Sequence, residues 1–345
     1  MVYVPIVKNW DSEMRALREL TSKGILPRPG IMPLVRIVEE DASPSKRCWY
    51  KSPASLNSFF TSSTAFVDYH RCDLSEFKQL DVSKLGRVRE LSDDPRSYLA
   101  SLEKLARFEH LVPVVSICSG VINPPDEEVA SFIDRMHSAY PGKPVGFCID
   151  KDPRGYPASV SRLTGSDYFF FDIGEKPLKS QAIQFEKLRS AKVAACSILL
   201  NSPRKRSVNN KEYEERGYTS LIDNRVRTDF WIHGFDGFGD YAGLRNDLKL
   251  NIKNGGKACA TIFIYCDDVN RFRVYMNPDS SKGMRGLMSV CKALEDDLDV
   301  LDPRRDCVAL GQFRAAWPNG NAGNFATWVT RTVIRYIQQI AQSER

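Results

Sequence analysis

Carboxylates stand at or beside the ends of several apolar runs in this chain. Asp68 lies in AFVDYH (65–70), Asp150 follows PVGFCI (144–149), Asp172 lies in DYFFFDI (167–173), and Asp236 and Asp240 follow DFWIHG (229–234). Carboxylates gathered at one mouth can hold a divalent cation such as Mg2+ through oxygen ligands. They can also divide acid and base roles, because crowded like charges push one pKa upward. The plain alternative is that each caps a helix or pairs with a neighbouring Arg or Lys. Asp172 is the foremost candidate, since a charge inside DYFFFDIG needs a local partner. His70 and His233 each close an apolar run, and His70 with Asp68 would make an acid–base pair. Cys118, Ser119 and His233 supply nucleophile and base types, but no GxSxG elbow accompanies them and no HExxH pair exists.

Two further features point to anions. Residues 233–243, HGFDGFGDYAG, interleave glycines with aspartates and aromatics, which permits positive φ and close approach of backbone to a ligand. Arg204, Lys205 and Arg206 follow the run VAACSILL (193–200), and Arg225 and Arg227 form a second basic group. If these loops are the last two of a barrel, they are where phosphate is often held. A solvated loop and a tight turn are the alternatives.

The elements that must position these residues are eight short apolar runs: 2–7, 32–38, 65–70, 111–117, 144–149, 167–173, 193–200 and 229–234. Most are continuously apolar, as expected of strands buried on both faces of a parallel sheet. Helical patterns lie between them, after Asp11, after Asp94-Pro95, after Pro124-Pro125 and over 178–191. This alternation predicts βαβ units. No GxGxxG or Walker A motif occurs, and eight units within about 255 residues match a closed barrel. The fold expected is a (β/α)8 TIM-like barrel over 1–256 with a C-terminal α+β appendage over 257–345. In the appendage, ACATIFIYC and RFRVYM form a hairpin across DDVN, and helices follow over 284–299 and from about Ala326 to Gln342.

The chain has 345 residues, 42% hydrophobic and 27% charged, which is enough to bury a core. Its net charge of +6 is too mild to indicate nucleic acid by itself. Nine cysteines without a CxxC pair argue against a disulfide framework or a structural zinc site. No apolar run approaches the roughly 20 residues of a membrane span, and the opening lacks the apolar core of a signal peptide. A cytoplasmic protein without a membrane partner is expected.

The opening YVPIVKNWDSEMRALREL, with Tyr3, Pro5, Lys8, Glu13, Ala16 and Leu17, resembles the start of the phage beta-protein family, named for a T-even phage protein and found in phages and mobile elements. PLVRIV at 33–38, FFFDIG, FGDYAG at 238–243, YCDDVNRFRVY and the closing AAWPNGNAGNFATWVTRTVIRYI are similar to further family segments. The resemblance implies a barrel with a C-terminal extension and a role in phage–host conflict, as defence or counter-defence. Lys8, Asp172, Asp240 and Tyr241 match the family pattern, whereas Arg36 replaces an acid usual in the second strand. The resulting expectation is a site with Lys8 stabilising charge, Asp172 as base or metal ligand, and Asp240 and Tyr241 positioning substrate. Asp172 and Asp240 are the expected metal pair, and Arg36, Asp68, His233 and Arg204 the substrate contacts. The activity expected is metal-assisted hydrolysis of a phosphorylated ligand such as a nucleotide or nucleic acid. The rival expectation is a non-catalytic scaffold for a phage or host protein.

Overall fold

A computed structural model describes residues 1–40, 51–73, 85–150, 152–246, 248 and 259–343. Eight parallel strands close into a barrel in chain order: β1 Val2–Lys8, β2 Leu34–Ile37, β3 Ala65–Tyr69, β4 Leu111–Ile117, β5 Gly146–Ile149, β6 Tyr168–Asp172, β7 Cys196–Leu200 and β8 Gly237–Asp240. The protein is a (β/α)8 barrel carrying a C-terminal hairpin and helices. Alternate strand residues, among them Val4, Ile6, Leu34, Phe66, Val114, Phe170, Ile198 and Leu200, fill the lumen. Phe66 and Phe170 meet there edge to face with centroids 4.9 Å apart. Their neighbours along each strand are buried under the outer helices, so both strand faces are dry and the runs read as continuously apolar.

The helices begin where the sequence places polar stops. Asp94 accepts hydrogen bonds from the backbone N–H of Arg96 and Ser97 and so caps helix Pro95–Leu105. The first helix, Asp11–Ser22, carries Asp11 and Glu13 in its first turn, where acids suit the helix dipole.

The eighth strand differs from the expectation. Residues 230–233 of DFWIHG form a 3-10 turn, and β8 is the glycine-containing GFGD that follows. Crowding explains the sequence. β8 is wedged between β7 and β1, where a Cβ on Gly237 would stand 2.2 Å from the Val2 carbonyl oxygen, and one on Gly239 2.6 Å from that of Val4. The strand that closes this barrel therefore lacks the β-branched residues that usually mark one.

Beyond the barrel, β9 Thr261–Cys266 and β10 Arg271–Met276 form the expected antiparallel hairpin. Helices Leu287–Asp296, Leu298–Leu301, Val308–Ala316 and Phe325–Ser343 follow. The final helix lies against the first: the Thr330 hydroxyl donates to the Ser12 carbonyl over 2.8 Å. It also covers the seam of β1 and β8, since its Tyr336 packs on Tyr3 and donates to Asp240. It thus occupies the place of the barrel's eighth outer helix, and the hairpin is inserted between β8 and that helix. The expected boundary at 256/257 lies outside the described residues. Among the described residues no helix is long and apolar enough to cross a membrane.

Candidate functional site at the barrel mouth

Lys8, Arg36 and Asp68 are register partners on β1, β2 and β3, so they form one row at the C-terminal end of the barrel. All three face inward and are buried. Across the lumen, Asp172 at the end of β6 lies 3.8 Å from the Arg36 guanidinium and accepts the Gly174 N–H. Tyr241, immediately after β8, presents its ring to both cations. The Lys8 ammonium and the Arg36 guanidinium each lie 5.6 Å from its centroid.

Burial dominates the electrostatics. It raises the Asp172 carboxyl above the ordinary range, with Arg36 pulling the other way. Asp68 is likewise raised by burial, against Arg36 and the hydroxyls of Ser116 and Tyr98. Burial alone would lower Arg36, but Tyr241, Asp172 and Asp68 around it leave it raised and charged. His70 is pushed well below its usual value by burial, then by Arg36, Lys8 and Arg206, so it is neutral at neutral pH. Several polar atoms in the mouth have no hydrogen-bond partner among the described residues: both His70 ring nitrogens, the Tyr241 hydroxyl and Arg36 Nε.

Asp68 is held by two hydroxyls, and the sequence does not flag one of their residues, Tyr98. Its two oxygens accept from the Tyr98 hydroxyl at 2.7 Å and the Ser116 hydroxyl at 2.6 Å. β3 and β4 pair only through Val67 and Pro113, and beyond that point Tyr98 inserts its hydroxyl, which accepts the Ser116 N–H. Arg71 stacks on the Tyr98 ring at 3.9 Å and donates to the carbonyls of Ser116 and Ile122. Tyr98 shares a helix face with Leu102 and Leu105. A polar-tipped residue on an apolar stripe is the one sequence signal that could have found it.

Five expected site residues therefore meet at the mouth: Lys8, Arg36, Asp68, Asp172 and Tyr241. Three do not. Asp240 points out of the barrel, because strand neighbours alternate faces. It accepts hydrogen bonds from Tyr3, Tyr336 and the Ala242 N–H beneath the final helix. It cannot join Asp172 on a metal, and among the described residues no group of three or more His, Cys, Asp or Glu is placed to hold one. His233 precedes β8 and lies at the opposite end of the barrel, with its ring 4.7 Å from that of Phe185. That position also dissolves any set with Cys118 and Ser119. Arg204 donates to the Gly243 carbonyl and lies 3.5 Å over the Phe263 ring, on the appendage side.

Other carboxylates prove to be local. Asp236 accepts the Ser197 N–H, and Asp150 accepts from the N–H and hydroxyl of Ser119. Asp68 and His70 do not bond to each other, as Asp68 is occupied and the His70 ring has no hydrogen-bond partner among the described residues. Burial pushes the Cys118 thiol up to about 11, which suits a packed residue better than a nucleophile. Arg227 is engaged by Asp267, Tyr265 and Ser343 rather than presented to solvent.

The fold and mouth define a barrel protein with two buried cations, the buried Asp68 and the partly buried Asp172 at its C-terminal end. No family model matches the chain, and no curated protein matches it. Similar solved structures include an endo-beta-N-acetylglucosaminidase from Cordyceps militaris, at 10% identity over 72% of this chain and 84% of that one, with a TM-score of 0.36. Another is a sugar phosphate isomerase/epimerase from Parabacteroides distasonis, at 9% identity over 71% and 91%, with a TM-score of 0.33. Neither likeness bears on the chemistry of this chain.

Proposed function

We propose that the barrel mouth binds a small phosphate ester and hydrolyses it. Asp172 takes a proton from a water that attacks phosphorus, the ester P–O bond breaks, and the leaving alcohol takes up a proton from solvent as inorganic phosphate is released. The observation that carries this reading is the set of unmet donors around Tyr241. Lys8 and Arg36 face one ring, and Arg36 Nε, the Tyr241 hydroxyl and the His70 nitrogens lack partners among the described residues. Each buried polar group left unpaired costs about 1–3 kcal/mol. An anion with three acceptor oxygens meets several of them at once, which is why a phosphoryl group fits better than a neutral ligand. Neutral His70 offers one donor and one acceptor. Asp172, with its raised pKa beside Arg36, is the group suited to take a proton from an attacking water.

The test is calorimetric titration with inorganic phosphate and pyrophosphate, followed by turnover of a panel of phosphate esters. Lys8→Met should weaken anion binding at least tenfold. Asp172→Asn should keep binding and lose turnover. No binding of either anion by the wild-type protein at millimolar concentration would end the reading. A setting in phage–host conflict rests on the motif resemblance. It is tested by plaque counts on a host expressing the wild-type protein or Asp172→Asn. Altered plaque counts together with no anion binding would instead favour the protein-binding scaffold.

A further inference from the structure

Lys8 sits between two spaces. On one side is the Tyr241 ring of the mouth. On the other, 5.3 Å from the ammonium, is the ring of Trp10, which lines a separate cavity of about 180 Å3. That cavity lies between the top of β1, the chain after β8, strand β9 and the start of the final helix. Its walls include the aromatic side chains of Trp10, Phe263, Phe325 and Trp328. Among the described residues its charged side chains are Lys8, Arg204 and Arg245 against the single acid Glu13, whose carboxylate accepts the backbone N–H of Lys8.

Among the described residues, no carboxylate pairs with the ammonium of Lys8 or the guanidinium of Arg245. Lys8 is 2% exposed, and its ammonium lies over the rings of Trp10 and Tyr241. Arg245 is held by the Val208 carbonyl and by Asn210 Oδ1. An aromatic cleft with a net positive rim calls for a flat ring bearing an anion. Size sets the limit: a cavity of about 150 Å3 holds a benzene ring, so this one admits a single ring system and leaves a sugar and phosphate outside it. Lys8 stands where those would lie.

We infer that the appendage forms a base-binding cleft, and that the ligand of the mouth is a free nucleoside phosphate. Its base enters among Trp10, Phe263, Phe325 and Trp328, and its phosphate rests on Lys8 and Arg36. This rests on the phosphoryl reading of the mouth, and it assigns to the appendage the choice of ligand.

The experiment compares inorganic phosphate, ribose 5-phosphate and the common nucleoside monophosphates by calorimetry, on the full chain. At least one nucleotide should bind at least tenfold more tightly than ribose 5-phosphate. Phe325→Ala, at an exposed position on the cleft, should reduce that advantage by roughly tenfold, the usual worth of a base–aromatic stack. Val329→Phe, which fills the cleft, should remove it. Both variants should leave phosphate affinity unchanged. Phosphate binding without any nucleotide advantage would overturn the cleft and leave the mouth reading intact. A nucleotide advantage that survives Val329→Phe would also overturn it. Nucleotide binding that depends on Val329 while phosphate does not bind would support the cleft and remove the mouth. Tighter binding of a single-stranded oligonucleotide than of its mononucleotide would overturn the free nucleotide in favour of nucleic acid.

Discussion

Arg36 and Asp172 offset part of each other's burial, since the guanidinium pulls down a carboxyl that desolvation pushes up. Their separation of 3.8 Å is a loose pair, yet removing one member of a buried pair leaves the other uncompensated. Arg36→Met should therefore cost about 3 kcal/mol at pH 7 in chemical denaturation. The sign of its pH dependence follows from Asp172, whose pKa is already raised by burial and would rise further without the guanidinium. A carboxyl raised in the folded state contributes stability at low pH that is lost as pH rises through the folded value. The deficit of Arg36→Met should thus shrink on acidification, and adding Asp172→Asn should recover part of it at pH 7. A deficit independent of pH would mean that Arg36 acts by packing alone. At this scale the sequence was legible where inward strand ends carry charge, as at Lys8, Arg36, Asp68 and Asp172. It misled at Asp240, where adjacency to Tyr241 concealed that consecutive strand residues face opposite ways. It was silent on Tyr98, because nothing local announces that a helix residue will reach through the wall between two strands.

Between elements, the decisive contact is the one that fastens the final helix over β1 and β8. Burial pushes Asp240 up to about 6, against the hydrogen bonds from Tyr336, Ala242 and Tyr3 that favour its charged form. Measured from an ordinary value of about 4, this is a penalty for ionisation of about 3 kcal/mol. By the same sign, stability from this group is present below about pH 4 and is lost as pH rises through about 6. Asp240→Asn should flatten that part of the stability profile, and the check is denaturant midpoint against pH. Glycine makes the second test. Gly239→Ala would press a Cβ to 2.6 Å from the Val4 carbonyl oxygen and 2.5 Å from Leu200, and should cost more than 3 kcal/mol or abolish folding. Gly311→Ala, within helix Val308–Ala316 and with open space around it, should gain about 0.5–1 kcal/mol. Seven barrel strands were readable because double burial leaves a continuous apolar run. The eighth was not, since what selects its residues is the carbonyl oxygens of β1 across a gap that no local pattern displays.

In the whole molecule the hairpin is not an independent attachment, because the chain returns from it to complete the outer ring. Deleting residues 325–343 should expose the buried faces of β1 and the first helix, and should abolish cooperative thermal unfolding. A truncated chain that still melts in one sharp transition would show that the barrel closes without that helix. The circular order of the strands was readable as a count of alternating units. The returning helix was not, because its amphipathic pattern says that it covers something without saying what.

That return has a consequence for synthesis. Ser12 and Thr330 bond to each other across 318 residues of chain. At roughly 5–20 residues per second, the ribosome delivers the second about 15–65 seconds after the first. Throughout that interval the side of β1 at Tyr3 and the side of the first helix at Ser12 lack the cover that the final helix gives them. The nascent barrel is therefore a stretch of unburied hydrophobic surface waiting on its own last helix, and its yield in a cell should depend on holding chaperones more than its finished stability would suggest.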